Sequence, residues 1–234
     1  MNQSGMFMLL LAACGLASFD SDLSSIDSGS AGRDSDRNDS GWNDTGEADT
    51  GDGQSTGPDS ARTPRPGELL VHELMINPSA VSDGQGEYTE LRNLSTDWLD
   101  LAGVALADDD VDLSELQQVY AQSLLLAPGG LLVVCASSTG NGGVDCQATI
   151  NPKSTGGGFV LANSEDEVIV LSASGQTLDT VRYGGSFVLT GAALGLRPSS
   201  QDAVANDSLG NWCEQTTGLS AGDSGTPGAN NNGC

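Results

Sequence analysis

The sequence predicts an all-β protein, a sandwich of short strands carried behind an apolar leader and an acidic linker. Short apolar runs recur from Leu69 to Tyr183, and the residues between them are Gly, Asp, Asn, Ser and Thr, which form turns. About eight such runs fall within roughly 115 residues, the spacing of a β-sandwich. Glycine is abundant at 32 of 234 residues, and no stretch has the periodicity of a long amphipathic helix.

Taken in order, the first strand is Leu69 to Ile76, apolar on both faces and ended by Asn77-Pro78. The stretch Gly86 to Leu106 reads as two strands joined by a polar turn, Asn93 to Asp97. Thr89 and Leu91 share one face, with Tyr88, Glu90 and Arg92 on the other. Leu99 and Leu101 resume an inward face, but Val104 and Leu106 are out of step with them. The slip falls at Ala102-Gly103, which marks a β-bulge or a strand corner. Further strands are expected at Gln118 to Leu126, Leu131 to Ala136, Phe159 to Ala162, Glu167 to Leu171 and Leu178 to Tyr183. Phe187 to Arg197 reads equally as a short helix or as irregular cover. Trp212 reads as a lid on one end of the core, and Gly222 to Gly233 as a turn-rich tail.

Ahead of this region, Met6 to Ala13 is an apolar run of about eight residues, well short of the ~20 that span a bilayer. It suits the core of a signal peptide. Leu11-Ala12-Ala13-Cys14 then resembles the lipobox of bacterial lipoproteins, which makes Cys14 the expected lipidation site and the membrane an expected partner. Gly15 after the cysteine resembles the pattern sorted to the outer membrane. The expected division is a signal peptide over 1–13, an acidic linker over 14–66 and one folded domain over 67–234. The linker repeats Asp-Ser-Gly and Asp-Thr-Gly, at Asp27, Asp39, Asp44 and Asp49. It holds too little apolar surface to offset its chain entropy, and so reads as disordered.

Four cysteines follow the leader, an even number that in an exported chain implies two disulfides. Of three possible pairings, Cys135–Cys146 and Cys213–Cys234 are favoured because each brackets a loop rich in Gly and Asn. Free buried thiols are the alternative.

Charge and motifs exclude more than they assign. With 8 Lys plus Arg against 32 Asp plus Glu, the formal charge is -24, so nucleic acid is not an expected partner. The only histidine is His72, and the residue three after Glu73 is Ile76, so the zinc-protease pattern fails; no Gly-x-Ser-x-Gly occurs either. No catalytic residue, resident metal or cofactor is expected. Gly156-Gly157-Gly158 follows Lys153 but lacks the phosphate-loop order and reads as a turn. Asp34-x-Asp36-x-Asn38 opens like a calcium loop, then places Asp39 and Thr45 where Gly and Glu are needed. Asp108, Asp109, Asp110 and Asp112 form an acidic loop, read as solvated with calcium as the alternative. Glu73 is placed on the face of Leu69, Val71 and Met75, and must find donors or a proton there; it reads as a tie to backbone N–H groups. Glu90 is read with Arg92 as an outer-face ion pair contributing under ~1 kcal/mol.

In their order, these residues resemble the lamin-tail domain family in its bacterial branch. The resemblance rests on Val71-His72-Glu73-Leu74 with Asn77-Pro78, Gly-Glu-Tyr-x-Glu-Leu-x-Asn at Gly86 to Asn93, and Leu-Asp-Leu-x-Gly at Leu99 to Gly103. It continues through Leu126 to Gly129, Leu161 to Asp166, Leu178 to Val181, Tyr183-Gly184 and Trp212, and closes on Gly225 to Asn230. His72 replaces a frequent Asn and Thr89 a frequent Val. The resemblance implies an immunoglobulin-like sandwich and a non-catalytic module. The function expected is a lipid-anchored cell-envelope protein whose domain serves binding, adhesion or assembly with an unidentified protein or polysaccharide. The alternative is a calcium- or carbohydrate-binding module that targets extracellular polymers.

Overall fold

The computed structural model describes residues 57–108, 113–115, 123–150 and 159–233. The leader, Cys14, the linker through residue 56, Asp109 to Asp112, residues 116–122, Gly156 to Gly158 and Cys234 lie outside the described residues.

The described residues form an immunoglobulin-like β-sandwich. The strands are β1 (Leu69–Met75), β2 (Tyr88–Asn93), β3 (Leu99–Asp100), β4 (Ala105–Ala107), β5 (Leu113–Glu115), β6 (Leu125–Leu126), β7 (Leu131–Cys135), β8 (Ala148–Thr149), β9 (Asp166–Leu171), β10 (Thr177–Tyr183), β11 (Leu194–Leu196) and β12 (Trp212–Glu214). One sheet has the order β12-β11-β1-β2-β7-β8 and the other β10-β9-β4-β5, with β3 and β6 paired separately. All pairs are antiparallel except β7 with β8. The core lies between the sheets. Val71, Leu74, Leu91, Leu132, Val134, Leu194 and Leu196 from one sheet meet Leu106, Val168, Val170, Leu178 and Val181 from the other.

β2 alternates as its sequence predicts, with Thr89 and Leu91 inward and Tyr88 and Glu90 outward, where a second apolar cluster of Met75, Tyr88, Val133 and Cys135 forms. Asn93 ends the strand and closes the turn. Its amide donates to the carbonyls of Asp97, Leu126 and Ala127, while its Oδ1 accepts from the Ser95 N–H and hydroxyl. The slip at Ala102-Gly103 is a strand corner: β3 and β4 belong to different sheets. Asp100 Oδ1 accepts the N–H groups of Ala102 and Leu124 there, and Gly103 takes φ +75°.

Several expectations are corrected. Residues ahead of 67 also make contacts with the strands. Arg62 bridges Glu68 and Asp97, and its backbone pairs with that of Leu99, which ties residues 57–66 to the domain. Phe159 to Ala162 is buried irregular backbone rather than a strand, held by the Glu87 carboxylate on the Leu161 N–H at 3.2 Å. Phe187 to Arg197 is neither helix nor cover throughout, because Leu194–Leu196 is β11, inserted between β1 and β12. Trp212, read from the sequence as a lid, starts β12 opposite Leu196 and is buried in the core cluster. It meets Phe187 edge-on at 5.7 Å and donates its indole N–H to the Asn206 carbonyl at 2.8 Å. Cys135 and Cys146 form the expected disulfide. Cys213 is also disulfide-bonded, and its expected partner, Cys234, is among the residues not described.

Gly103→Ala should lower stability by ~2 kcal/mol or more in urea unfolding, because an added Cβ meets Ala173 at 2.7 Å on top of the positive φ. Gly175→Ala carries only the φ penalty, since nothing lies within 4 Å, and should cost ~1 kcal/mol.

Candidate functional site

The densest polar chemistry of the domain sits on the outer face of the six-stranded sheet, under the C-terminal tail. β1 creates it. Val71 pairs with Leu91 and Glu73 with Glu90, so His72 is an extra residue, the centre of a β-bulge. The bulge overturns the expected face of Glu73. It points outward with Met75, away from Val71, which stays in the core between the sheets. It also leaves backbone groups without ladder partners. The His72 carbonyl takes the Asn231 amide at 3.0 Å, and the Val71 N–H donates to Asp179 Oδ2 of β10 at 2.7 Å.

Three titratable side chains are thereby sealed under the tail: His72 is 1% exposed, and Glu73 and Glu90 are 0% exposed. Glu90 is not an outer-face partner of Arg92, which corrects that expectation. Its Oε1 lies 2.7 Å from His72 Nδ1 and its Oε2 accepts the Gly228 N–H. Arg92 instead reaches the far side of the imidazole, with Nη1 at 3.4 Å from His72 Nε2 and at 3.3 Å from Asn230 Oδ1. Glu73 Oε1 accepts from the Tyr88 hydroxyl at 2.5 Å and from the Thr226 N–H at 2.7 Å. Its Oε2 meets the Thr226 hydroxyl. The expected tie of Glu73 to backbone N–H groups is therefore present, at Thr226.

Counting donors assigns the protons. Asn231 Nδ2 is fixed as the nitrogen by two carbonyls, those of His72 and Leu196. Both Asn231 amide protons are thereby committed, and the donor facing His72 Nε2 is Arg92 Nη1, so Nε2 accepts and the ring proton is on Nδ1, donated to Glu90. Burial lowers the His72 pKa to about 4, which keeps the ring neutral. Burial pushes Glu90 up to about 8, although the Gly228 N–H and the Arg92 charge oppose the rise.

The contacts of Glu73 assign it a proton. Thr226 Oγ1 has three oxygens around it: Glu73 Oε2, Gln215 Oε1 at 3.1 Å and Asn231 Oδ1 at 3.1 Å. One hydroxyl proton cannot serve three acceptors. A proton on Glu73 Oε2, donated to Thr226, frees the threonine proton for an amide oxygen. Burial raises the Glu73 pKa, and the facing Glu90 charge adds to the rise. Glu73 and Glu90 face each other in one ladder, and burial pushes both carboxyls toward the neutral form, which relieves their repulsion.

The tail itself must lie close to the sheet. A Cβ on Gly225 would overlap the Tyr88 hydroxyl and sit 3.2 Å from Glu73 Oε1. Asp223 anchors the tail at its other end, accepting from the N–H groups of Ser79 and Ala80 at 3.1 Å and from the Ser79 hydroxyl at 2.7 Å. A second buried link, Asp179, holds Asn206 Nδ2 at 2.7 Å and so supports the loop that carries the Trp212 hydrogen bond. All these groups bind protein partners, and the cluster ties the tail to the sheet. Sequence reading finds Glu73 and Glu90 as positions and misses Thr226, Gln215 and Asn231, which lie more than 120 residues away in the chain. Among the described residues no three His, Cys, Asp or Glu side chains gather as a metal site. Asp108 is buried, and the rest of the acidic loop is outside the described residues.

Glu73→Gln keeps every bond of the neutral acid and should cost under ~1 kcal/mol, while Glu73→Ala strands Tyr88 and Thr226 and should cost ~3 kcal/mol by chemical denaturation. The melting temperature should fall as pH rises from 5 to 8. Burial raises Glu87 to about 8 and Asp179 to about 6, above their unfolded values of about 4. The folded state therefore binds more protons, and stability present below the unfolded values is lost as pH climbs through the folded ones. Glu87→Gln should flatten that slope; an unchanged slope would remove Glu87 from it.

The family model for the lamin tail domain matches residues 62–185, from the Arg62 bridge to the end of β10. That is more than half of the 234 residues. No curated protein matches the chain. The sandwich, its strand order and this match agree: the chain belongs to the lamin tail domain family, whose immunoglobulin-like fold is a binding or structural module and generally not an enzyme.

Proposed function

We propose that the chain is a lipid-anchored protein of a bacterial cell envelope, held at the outer membrane through Cys14, whose lamin tail domain serves binding, adhesion or assembly. The observation that supports the module is the family match, together with a site whose buried acids are committed to holding segments together. The anchor is supported by Leu11-Ala12-Ala13-Cys14 at the end of the apolar Met6 to Ala13 run. Among the described residues no helix is long and apolar enough to cross a membrane. Two or more acyl chains at Cys14 give a firm hold, since each buried CH₂ contributes ~0.8 kcal/mol.

The acidic linker supplies reach. A flexible chain of roughly fifty residues has an r.m.s. reach of ~40 Å by polymer scaling, and like charges lengthen such a chain. A partner is then a protein or polysaccharide met away from the bilayer. Nucleic acid is disfavoured by the charge of -24. Of the alternative targeting roles, carbohydrate binding has one specific observation in its favour, an amide-rich pocket beside Arg92.

Cells fed labelled palmitate should incorporate it into the wild-type chain and not into Cys14→Ala, and that variant should move to the soluble fraction. Label that survives the substitution would refute the anchor.

A further inference from the structure

A hydroxyl, a carboxyl and a primary amide converge under the tail in the arrangement that acyl transfer needs. Thr226 Oγ1 touches Glu73 Oε2 and lies 3.1 Å from Gln215 Oε1. All three side chains are buried, Glu73 and Gln215 fully. The backbone fixes the approach from both sides. The Gly225 N–H donates to the Thr217 carbonyl and the Gln215 N–H to the Ala193 carbonyl, each at 2.8 Å. Neighbouring bonds thus hold the hydroxyl against the amide, and that orientation removes much of the entropic cost of a reaction between them.

A second observation is the setting of the Gln215 amide. Its Oε1 accepts the N–H groups of Asn232 at 2.8 Å and Gly233 at 3.3 Å. Two backbone N–H groups on one carbonyl oxygen are the donor pair that stabilises the charge of a tetrahedral intermediate. The Asn232 side chain steadies that pair, accepting the Thr216 N–H at 3.5 Å and donating to the Thr217 hydroxyl. Gln215 Nε2 donates to the Cys213 carbonyl at 3.0 Å, which assigns the two ends of the amide. It occupies space that a Cβ on Gly195 would take, at 2.5 Å. Asn231 Oδ1 is as near to Thr226, at 3.1 Å. Its nitrogen is held by two carbonyls, and among the described residues no backbone N–H donates to its oxygen.

We infer that Thr226 and Gln215 condense into an intramolecular ester, with Glu73 as the base. In the carboxylate form of Glu73, Oε2 takes the Thr226 proton as Oγ1 bonds to Gln215 Cδ. Negative charge gathers on Gln215 Oε1, between the N–H groups of Asn232 and Gly233. The intermediate then breaks its Cδ–Nε2 bond, the proton on Glu73 passes to the departing nitrogen, and ammonia leaves. Glu73 returns to its starting form, nothing is oxidised or reduced, and no co-reactant is consumed. Burial makes this carboxylate a stronger base than an exposed one. The Tyr88 hydroxyl and the Thr226 N–H hold its other oxygen in place. Burial also excludes the water that would hydrolyse the product. The reaction runs once per chain, so the domain remains a module, with its tail pinned covalently beside β12.

The test is mass spectrometry of the purified full chain, reduced, alkylated, denatured and cut with a protease that cleaves before aspartate. Asp207 and Asp223 put Gln215 and Thr226 on separate peptides, 207–222 and 223–234. The two should be found joined, one ammonia lighter than their sum, and hydroxylamine should split them as it splits an ester. Thr226→Ala and Glu73→Gln should both leave the peptides separate, and Thr226→Ser should restore the joined species. Compared as unlinked chains, Glu73→Gln and the wild type differ only by a small hydrogen-bond cost, so this variant decides the matter if Thr226→Ala does not fold. Separate peptides of full mass from the wild type overturn the ester, as does joining that survives Thr226→Ala or is undiminished in Glu73→Gln. A lone peptide 223–234 lighter by one ammonia would put the bond on Asn231 and overturn it as well. Such a failure leaves the anchored module standing, because that reading is tested separately by labelling at Cys14.

Discussion

The contact between Glu73 of β1 and Thr226 of the tail is the constraint on which the outer layer of this domain depends. It joins residues 153 apart in the chain inside a region that water does not reach. The tail has few apolar side chains to hold it on the sheet. It is held by Thr226 and Gly228 on two buried glutamates, by Asn231 on two carbonyls, and by Asp223 on the Ser79–Ala80 backbone. A buried polar network of this kind fixes geometry strongly when every group is satisfied, and destabilises when one is not. The proton on Glu73 is what satisfies it, because it converts a shortage of donors around Thr226 into a closed set.

The same logic explains the bulge at His72. An extra residue in β1 turns Glu73 outward and interrupts the ladder, and distant side chains take up the freed backbone groups. Asp179 reaches across from the other sheet to do so. The bulge thus couples three layers, the second sheet, the β1 ladder and the tail, through one irregularity of the backbone. It also places the histidine where Arg92 can lean on it at the edge of the open cavity.

Much of the sandwich was legible because its cause is local. The alternation of Tyr88 to Arg92, the turn at Asn93 and the corner at Ala102-Gly103 follow from side-chain period and from glycine, and all three are present. Short elements were hidden for the complementary reason. Leu194–Leu196 is too brief to show alternation, and Phe159 to Ala162 looks like a strand because burial, not pairing, selects its side chains. The site was legible only in its carboxylates. The His72 bulge carries no glycine to mark it, so strict alternation places Glu73 on the wrong face and pairs Glu90 with the nearest cation. A tail of Gly, Asn, Thr and Asp reads as loop, because its partners are set by tertiary contacts that no local pattern encodes.

The chain has one histidine, so its ring nitrogens are observed without ambiguity. Long-range ¹H–¹⁵N NMR of His72 across pH 4–8 tests the proton assignment on which the buried cluster rests. This account predicts a neutral ring with its proton on Nδ1 and no titration until the pH approaches about 4. A proton on Nε2, or a midpoint near the ordinary histidine value of about 6.5, would contradict it.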